Sequence, residues 1–337
     1  MKRDVQISII RLICTVAVVS LHIFQQMEKL CAPLRIFTDW LNLGLVMFFC
    51  ISAFLYSQKE IANVPKWYLH RFSEILIPSA LVGVGVLCVF GISGNLDAQK
   101  LWGTVLSCLG LQVYAPNAFM FVHLWYITYL LFFYLTLPLI QKINCKQCSE
   151  ICFWAITVTG VLALQGLTVI AEKFTGITLL SAGILLRFYL PYFVFRRYSI
   201  SGNEIKLPMG ILTALAVPAV AIVALVRYMP GIGIPDTIAE LMFVYTQTLV
   251  GFVLFYLLYR MFSRAKSYAA ALKISDKYSY EVYLTHCLFI GYNTSLIWAA
   301  SNVTVGIIAA LSATAIASFA LKTISEILKK PIKAYLK

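Results

Sequence analysis

Arg11 and His22 bracket ten small or apolar residues, LICTVAVVSL. On an α-helix eleven steps of about 100° end roughly 20° past three full turns, so both side chains share one face, about 16 Å apart along the axis. Thr15 and Val18 line the stripe between them. A guanidinium binds phosphate or carboxylate oxygens in a fork. A neutral imidazole takes a proton from an alcohol near pH 7. One helix face thus carries an anion anchor at one end and a base at the other.

Other ionisable side chains sit in apolar surroundings, where a charge costs about 2.5–3.5 kcal/mol or more. Arg71 lies in His70-Arg-Phe-Ser-Glu-Ile-Leu-Ile-Pro78, and Glu74 stands three residues on, within i,i+3 reach of Arg71. Arg187 is too deep in its run to snorkel and calls for a carboxylate or an anionic ligand. Glu281 and His286 share a late segment, and His123 and Trp125 open another at the outer face, where Trp also serves as an interface anchor. Arg11, Arg71 and Arg187 together would make a cationic mouth suited to a ligand with several phosphates. His22 lies farther out.

The elements that must hold these residues are membrane helices. The chain has 337 residues, 61% apolar and 12% charged, with a mean hydropathy of +0.85. Soluble domains run nearer 45–50% apolar and about 25% charged, so a soluble enzyme, a disordered chain and a disulfide scaffold are excluded. Apolar runs of near 20 residues, the length that crosses about 30 Å of hydrocarbon, fall at 7–27, 40–58, 75–93, 122–140, 151–171, 177–195, 209–228, 240–261, 280–298 and 303–323. The segment 101–114 is short, carries Gly103 and Gly110, and reads as interfacial or re-entrant.

The net charge of +13 would suit nucleic acid, but its placement points to a membrane. With the N-terminus cytoplasmic, 20 of the 27 Lys and Arg fall inside, five outside, and Arg11 and Arg187 lie within spans. That is the positive-inside pattern. If 101–114 crossed, 15 downstream cations would move outside and two would move in. The fold expected is therefore all-α: a polytopic transmembrane helical bundle of ten spans, both termini cytoplasmic. The first span carries Arg11 and His22 and lacks a small-x-small site, so it is not read as a cleavable signal. Most of the nine cysteines lie in apolar runs, as small hydrophobes. Cys145, Cys148 and Cys152 form C-x2-C-x3-C without a second pair, so no metal site is expected.

These residues carry a likeness. The sequence resembles the integral-membrane acyltransferase family 3, many of whose members O-acylate bacterial surface sugars. Arg11 and His22 match the family's R-x10-H pattern, and the segment from His70 to Pro78 is similar to its basic third-span element, with Glu74 where a second Arg is common. Phe48-Phe-Cys-Ile-Ser-Ala-Phe-Leu55 looks like F-F-x-x-S-G-F-L, with Ala53 for Gly. His123-Leu-Trp-Tyr126 resembles H-L-W-F, and Ser279-Tyr-Glu-Val-Tyr-Leu-Thr-His286 resembles S-x-x-x-Y-L-x-H. Arg187-Phe-Tyr-Leu-Pro-Tyr-Phe193 looks like the sixth-span segment, without the Gly often found after it. The matches run in order from residue 7 to about 290.

The resemblance implies one transmembrane acyltransferase domain over 1–337, in the bacterial cytoplasmic membrane. It implies acetyl-CoA or another acyl-CoA as donor on the cytoplasmic side, and no metal. The acceptor would be a hydroxyl of a surface glycan or its lipid-linked precursor. Membrane lipid is a further partner, and no nucleic acid is expected. CoA phosphates would meet Arg11, Arg71 and Arg187, the pantetheine arm would follow the small-residue stripe, and His22 would deprotonate the hydroxyl or briefly carry the acyl group. His123, Trp125, Glu281 and His286 would line the acceptor path or orient His22. A polysaccharide exporter or flippase is the other reading, although no inverted repeat or pair of broken helices is visible.

Overall fold

The computed structural model describes residues 5–28, 31, 33–114, 121–143, 149–175, 181–198, 209–228, 235–265, 270–291 and 295–336. Among these every regular element is helical. The helices are α1 (Val5–Met27), α2 (Leu34–Leu41), α3 (Leu43–Ser57), α4 (Val64–Ile92), α5 (Ala98–Cys108), α6 (Trp125–Ile140) and α7 (Glu150–Thr175). They continue with α8 (Ala182–Tyr198), α9 (Met209–Tyr228), α10 (Asp236–Met261), α11 (Ala270–Ile290), α12 (Leu296–Ala299) and α13 (Val303–Leu336). Cys145 and Cys148, and the loop cations Lys2, Arg3, Lys29, Lys146, Lys206, Lys266 and Lys337, lie outside the described residues.

Among the described residues seven helices are long and apolar enough to cross a membrane: Val5–Met27, Leu34–Ser57, Val64–Ile92, Val122–Ile140, Glu150–Ile170, Ile238–Arg264 and Val303–Leu336. The expected runs at 177–195, 209–228 and 280–298 fall short by that measure for identifiable reasons. The helix α8 has 17 residues and contains Arg187, Arg196 and Arg197. The helix α9 is apolar along its 20 residues, of which Ala216–Tyr228 is the stretch described in full. The ninth run is displaced: its helix begins ten residues earlier, among Lys273, Asp276 and Lys277, and ends at Ile290. Hydropathy follows the apolar run, whereas the helix follows its hydrogen bonds. The same effect extends the third element back to Val64, where the Asn63 side chain accepts from the Lys66 amide at 3.0 Å and Pro65 occupies the first turn. The segment 101–114 contains α5, whose 11 residues rise about 16 Å, half the hydrocarbon thickness. Asp97 caps α5, and hydrogen bonding from Lys100 holds its carboxyl below the usual range.

The chain forms two compact units. The first contains 1–10, 43–60 and 139–267. In it α3 packs on α8 and α10, and α10 also packs on α9. A Cβ on Gly251 would lie 2.5 Å from Val46 Cγ1, so α10 and α3 meet at a glycine contact, as small residues permit between membrane helices. Phe54, Phe195, Phe252 and Phe255 interlock there. By contrast, α7 turns apolar side chains outward, with Ile151 85% and Phe174 82% exposed, as expected of a face that lipid covers.

The second unit contains 11–42, 61–138 and 268–337. Here α13 packs along α11 and α4, and α5 lies on α4. Gly110, at φ +77, turns the chain after α5, and a Cβ there would overlap Leu131 of α6. Gly306 lets α13 approach the Ile297 backbone of α12. Ile290, Ile297 and Ala310 form a core that Val19 and Ile23 of α1 complete. This core fixes the end of α1 that carries His22.

Candidate active site

Both ends of the Arg11–His22 stripe face α11. Arg11 Nη1 bonds Asp276 Oδ1 at 2.5 Å, and the His22 ring lies 5.0 Å from the His286 ring. Early meets early and late meets late, so α1 and α11 run parallel.

Three of the chain's four histidines meet around His286. Its ring is 5.0 Å from that of His22 and 5.4 Å from that of His123. His286 is fully buried and His123 nearly so, while His22 is half-buried. The backbone decides the tautomers. His286 Nδ1 sits 2.8 Å from the Tyr283 carbonyl and 3.0 Å from that of Val282. Carbonyls only accept, so Nδ1 carries the proton and Nε2 offers a lone pair. His22 Nδ1 lies 2.8 Å from Gln25 Oε1, one turn on, so its Nε2 is likewise a lone pair. His123 Nε2 donates to the Leu284 carbonyl at 3.3 Å, leaving its buried Nδ1 without a hydrogen-bond partner among the described residues. Tyr283 locks the arrangement by donating its hydroxyl to the His123 carbonyl.

The cluster is therefore rich in acceptors. One donor atom from each of His22, His286 and Cys287 falls within 4.8 Å of the others. The Cys287 Sγ lies 3.2 Å from His286 Nε2. An alcohol O–H fits such a place, because it supplies the proton that two facing lone pairs lack. Cys287 was read from sequence as a small apolar residue, so this donor set was not anticipated. Gln25 was findable by helical spacing. Asp276 was not, because nothing in the sequence says that α11 lies against α1.

The other expected site residues go elsewhere. Glu281 is buried against Lys322 of α13 at 3.0 Å, with Oε2 left without a hydrogen bond. Trp125 is half-buried and packs edge-on against Tyr126 and Tyr129 of its own helix. Glu74 pairs with Lys329 at 2.7 Å and Lys333 at 3.4 Å, across to α13. Arg71, one turn before it, is half-buried in the same part of α4. Lys329 is 1% exposed and also binds Glu326 at 2.7 Å. Sequence reading counted these tail lysines among the cytoplasmic cations. Arg187 belongs to the other unit, where it is 2% exposed and donates to Gln247 Oε1 at 2.9 Å. A carboxylate or an anion was expected there. The amide oxygen of Gln247 in α10 is one acceptor it meets there.

The model of the family described as an acyltransferase domain matches residues 4–323. A curated protein of Bacillus subtilis (strain 168), named "Putative membrane-bound acyltransferase YfiQ", is 22% identical over 308 residues, covering 85% of this chain and 82% of its own. No solved structure matches the chain.

Proposed function

From the premise that the chain belongs to this acyltransferase family and is a multi-pass membrane acyltransferase, we propose that it moves a short acyl group, acetyl foremost, from cytoplasmic acyl-CoA to a sugar hydroxyl. The acceptor is a surface polysaccharide or its lipid-linked precursor, and the membrane is the bacterial cytoplasmic one.

One observation carries this reading: a ring nitrogen of His22, one of His286 and the Cys287 Sγ lie within 4.8 Å of one another, while Gln25 and the Val282 and Tyr283 carbonyls engage Nδ1 of the two rings. The acceptor O–H enters the space among them. His22 Nε2 takes the proton as the oxygen bonds the acyl carbon. The thioester C–S bond breaks, and the departing thiolate recovers the proton from the imidazolium. Gln25 holds His22 in the tautomer this requires. His286 orients the alcohol, and His123 borders the same space.

Arg11 serves the donor. Asp276 engages Nη1 and fixes the guanidinium, whose side chain stays 25% exposed. The guanidinium has five N–H donors, so others remain for phosphate oxygens. Arg71, in the same unit, is the further phosphate ligand of this proposal. The parallel run of α1 and α11 supports an orientation in which both enter from the cytoplasm with their polar first turns.

The test is mass spectrometry of the surface glycan from cells with and without the protein. Loss of O-acyl groups from a glycan still displayed is expected. Unmodified glycan trapped inside the cell would instead favour an exporter.

A further inference from the structure

The cluster that accepts an alcohol proton has the donor set of a different ligand. We propose that His22 Nε2, His286 Nε2 and Cys287 Sγ form a capture site for a thiophilic divalent cation, zinc above all, and that an ion bound there silences acyl transfer.

The geometry is close to what zinc needs. The three donor atoms lie within 4.8 Å of one another, and the Sγ–Nε2 pair is already at 3.2 Å. Ligands at about 2.0–2.3 Å from a tetrahedral zinc sit roughly 3.3–3.7 Å apart, so contraction of about an ångström completes the set. The orienting bonds are also those of a metal site. A ligating imidazole usually donates its other N–H to a carbonyl or carboxylate. His286 does so to the Val282 and Tyr283 carbonyls, and His22 does so to Gln25. Two nitrogens and a sulfur favour zinc over magnesium or calcium, which take oxygen ligands. His22 is the half-buried member and gives the cluster its open side. On binding, the Cys287 thiol proton leaves to solvent and the thiolate bonds the ion. The fourth position stays free for water.

The consequence follows from electron pairs. The lone pair that would take the hydroxyl proton is the one the ion occupies, so the enzyme cannot hold both zinc and a working base. The silencing rests on His22 being the base, as proposed above; the binding does not.

The test uses the full-length protein in detergent, with Cys145, Cys148 and Cys152 changed to Ser so that the C-x2-C-x3-C cluster contributes nothing. Zn2+ is titrated by calorimetry, and Co2+ serves as a probe whose thiolate charge-transfer absorption reports the sulfur. One equivalent of Zn2+ is expected, with thiolate absorption for Co2+. Cys287→Ala should weaken binding by about 100-fold or more, since losing merely the hydrogen-bonded support of a ligand costs about 10–100-fold. In the acyl-transfer assay Zn2+ should inhibit the parent and EDTA should restore it, while the activity that Cys287→Ala retains should resist inhibition by Zn2+. No stoichiometric Zn2+ in the parent, or equal binding in Cys287→Ala, overturns the site. Binding through Cys287 that leaves acyl transfer untouched overturns the silencing. Should His22→Ala retain acyl transfer, the base reading falls, and the titration still decides the site.

Discussion

Two buried polar clusters in the same compact unit handle their hydrogen bonds in opposite ways. Along α13, Lys329 is buried between Glu74 and Glu326 at 2.7 Å each, and Lys333 and Lys322 close the same network at 2.5 and 3.6 Å from Glu326. Every cation there has a carboxylate. Around His286, by contrast, imidazole nitrogens of His22 and His286 meet the Cys287 thiol within 4.8 Å, with no carboxylate among the three. The first cluster repays the cost of burying charge by pairing it. The second is the place proposed above for the acceptor hydroxyl, whose O–H supplies a proton to an imidazole lone pair. Burial of polar groups is thus common to both; paired charges mark the scaffold, and neutral imidazoles beside a thiol mark the site.

Substitutions can break this contrast. The largest effect is expected at His22. His22→Ala should lower kcat by about 100- to 10,000-fold, the range that a positioned general base contributes, with unchanged helicity and thermal unfolding in detergent. Arg11→Ala should act on the donor: a rise in acyl-CoA KM of about tenfold or more, in line with about 1.5–3 kcal/mol for a charge-assisted hydrogen bond, with kcat less affected. An unchanged KM would remove Arg11 from the phosphates. Gln25→Leu should cost a few-fold in kcat, because His22 then loses the partner that selects its tautomer.

In the ion-pair network the effect should be on stability, with little on kcat per folded molecule. Lys329→Met should destabilise the protein by about 3 kcal/mol, the toll of removing one partner of a buried pair. Glu74→Gln in the same chain should recover part of that loss. A large fall in kcat without loss of stability would mean that the network belongs to the chemistry after all.

Part of this was legible in the sequence. The Arg11–His22 stripe follows from helical periodicity, and both residues meet α11. The helical fold and its apolar spans follow from hydropathy. Helix ends do not, because they depend on caps and ion pairs that hydropathy overlooks: α4 starts at its Asn63 cap, and α13 continues to Leu336 through turns laced by Lys–Glu pairs. Partners distant in sequence were also illegible. Glu281 looked like an acceptor-site residue from its place five positions before His286, yet its face meets Lys322. Cys287 looked apolar because its value lies in the histidine beside it. Single residues announce their type; whether their valences are met depends on which helices touch.

The central claim is that His22 and His286 act on one hydroxyl. A double-mutant cycle on kcat for His22→Ala and His286→Ala measures it most directly. Residues that work as a unit are strongly non-additive, so the double variant should be about as impaired as His22→Ala alone. Losses that multiply, as for two independent sites, would contradict the account.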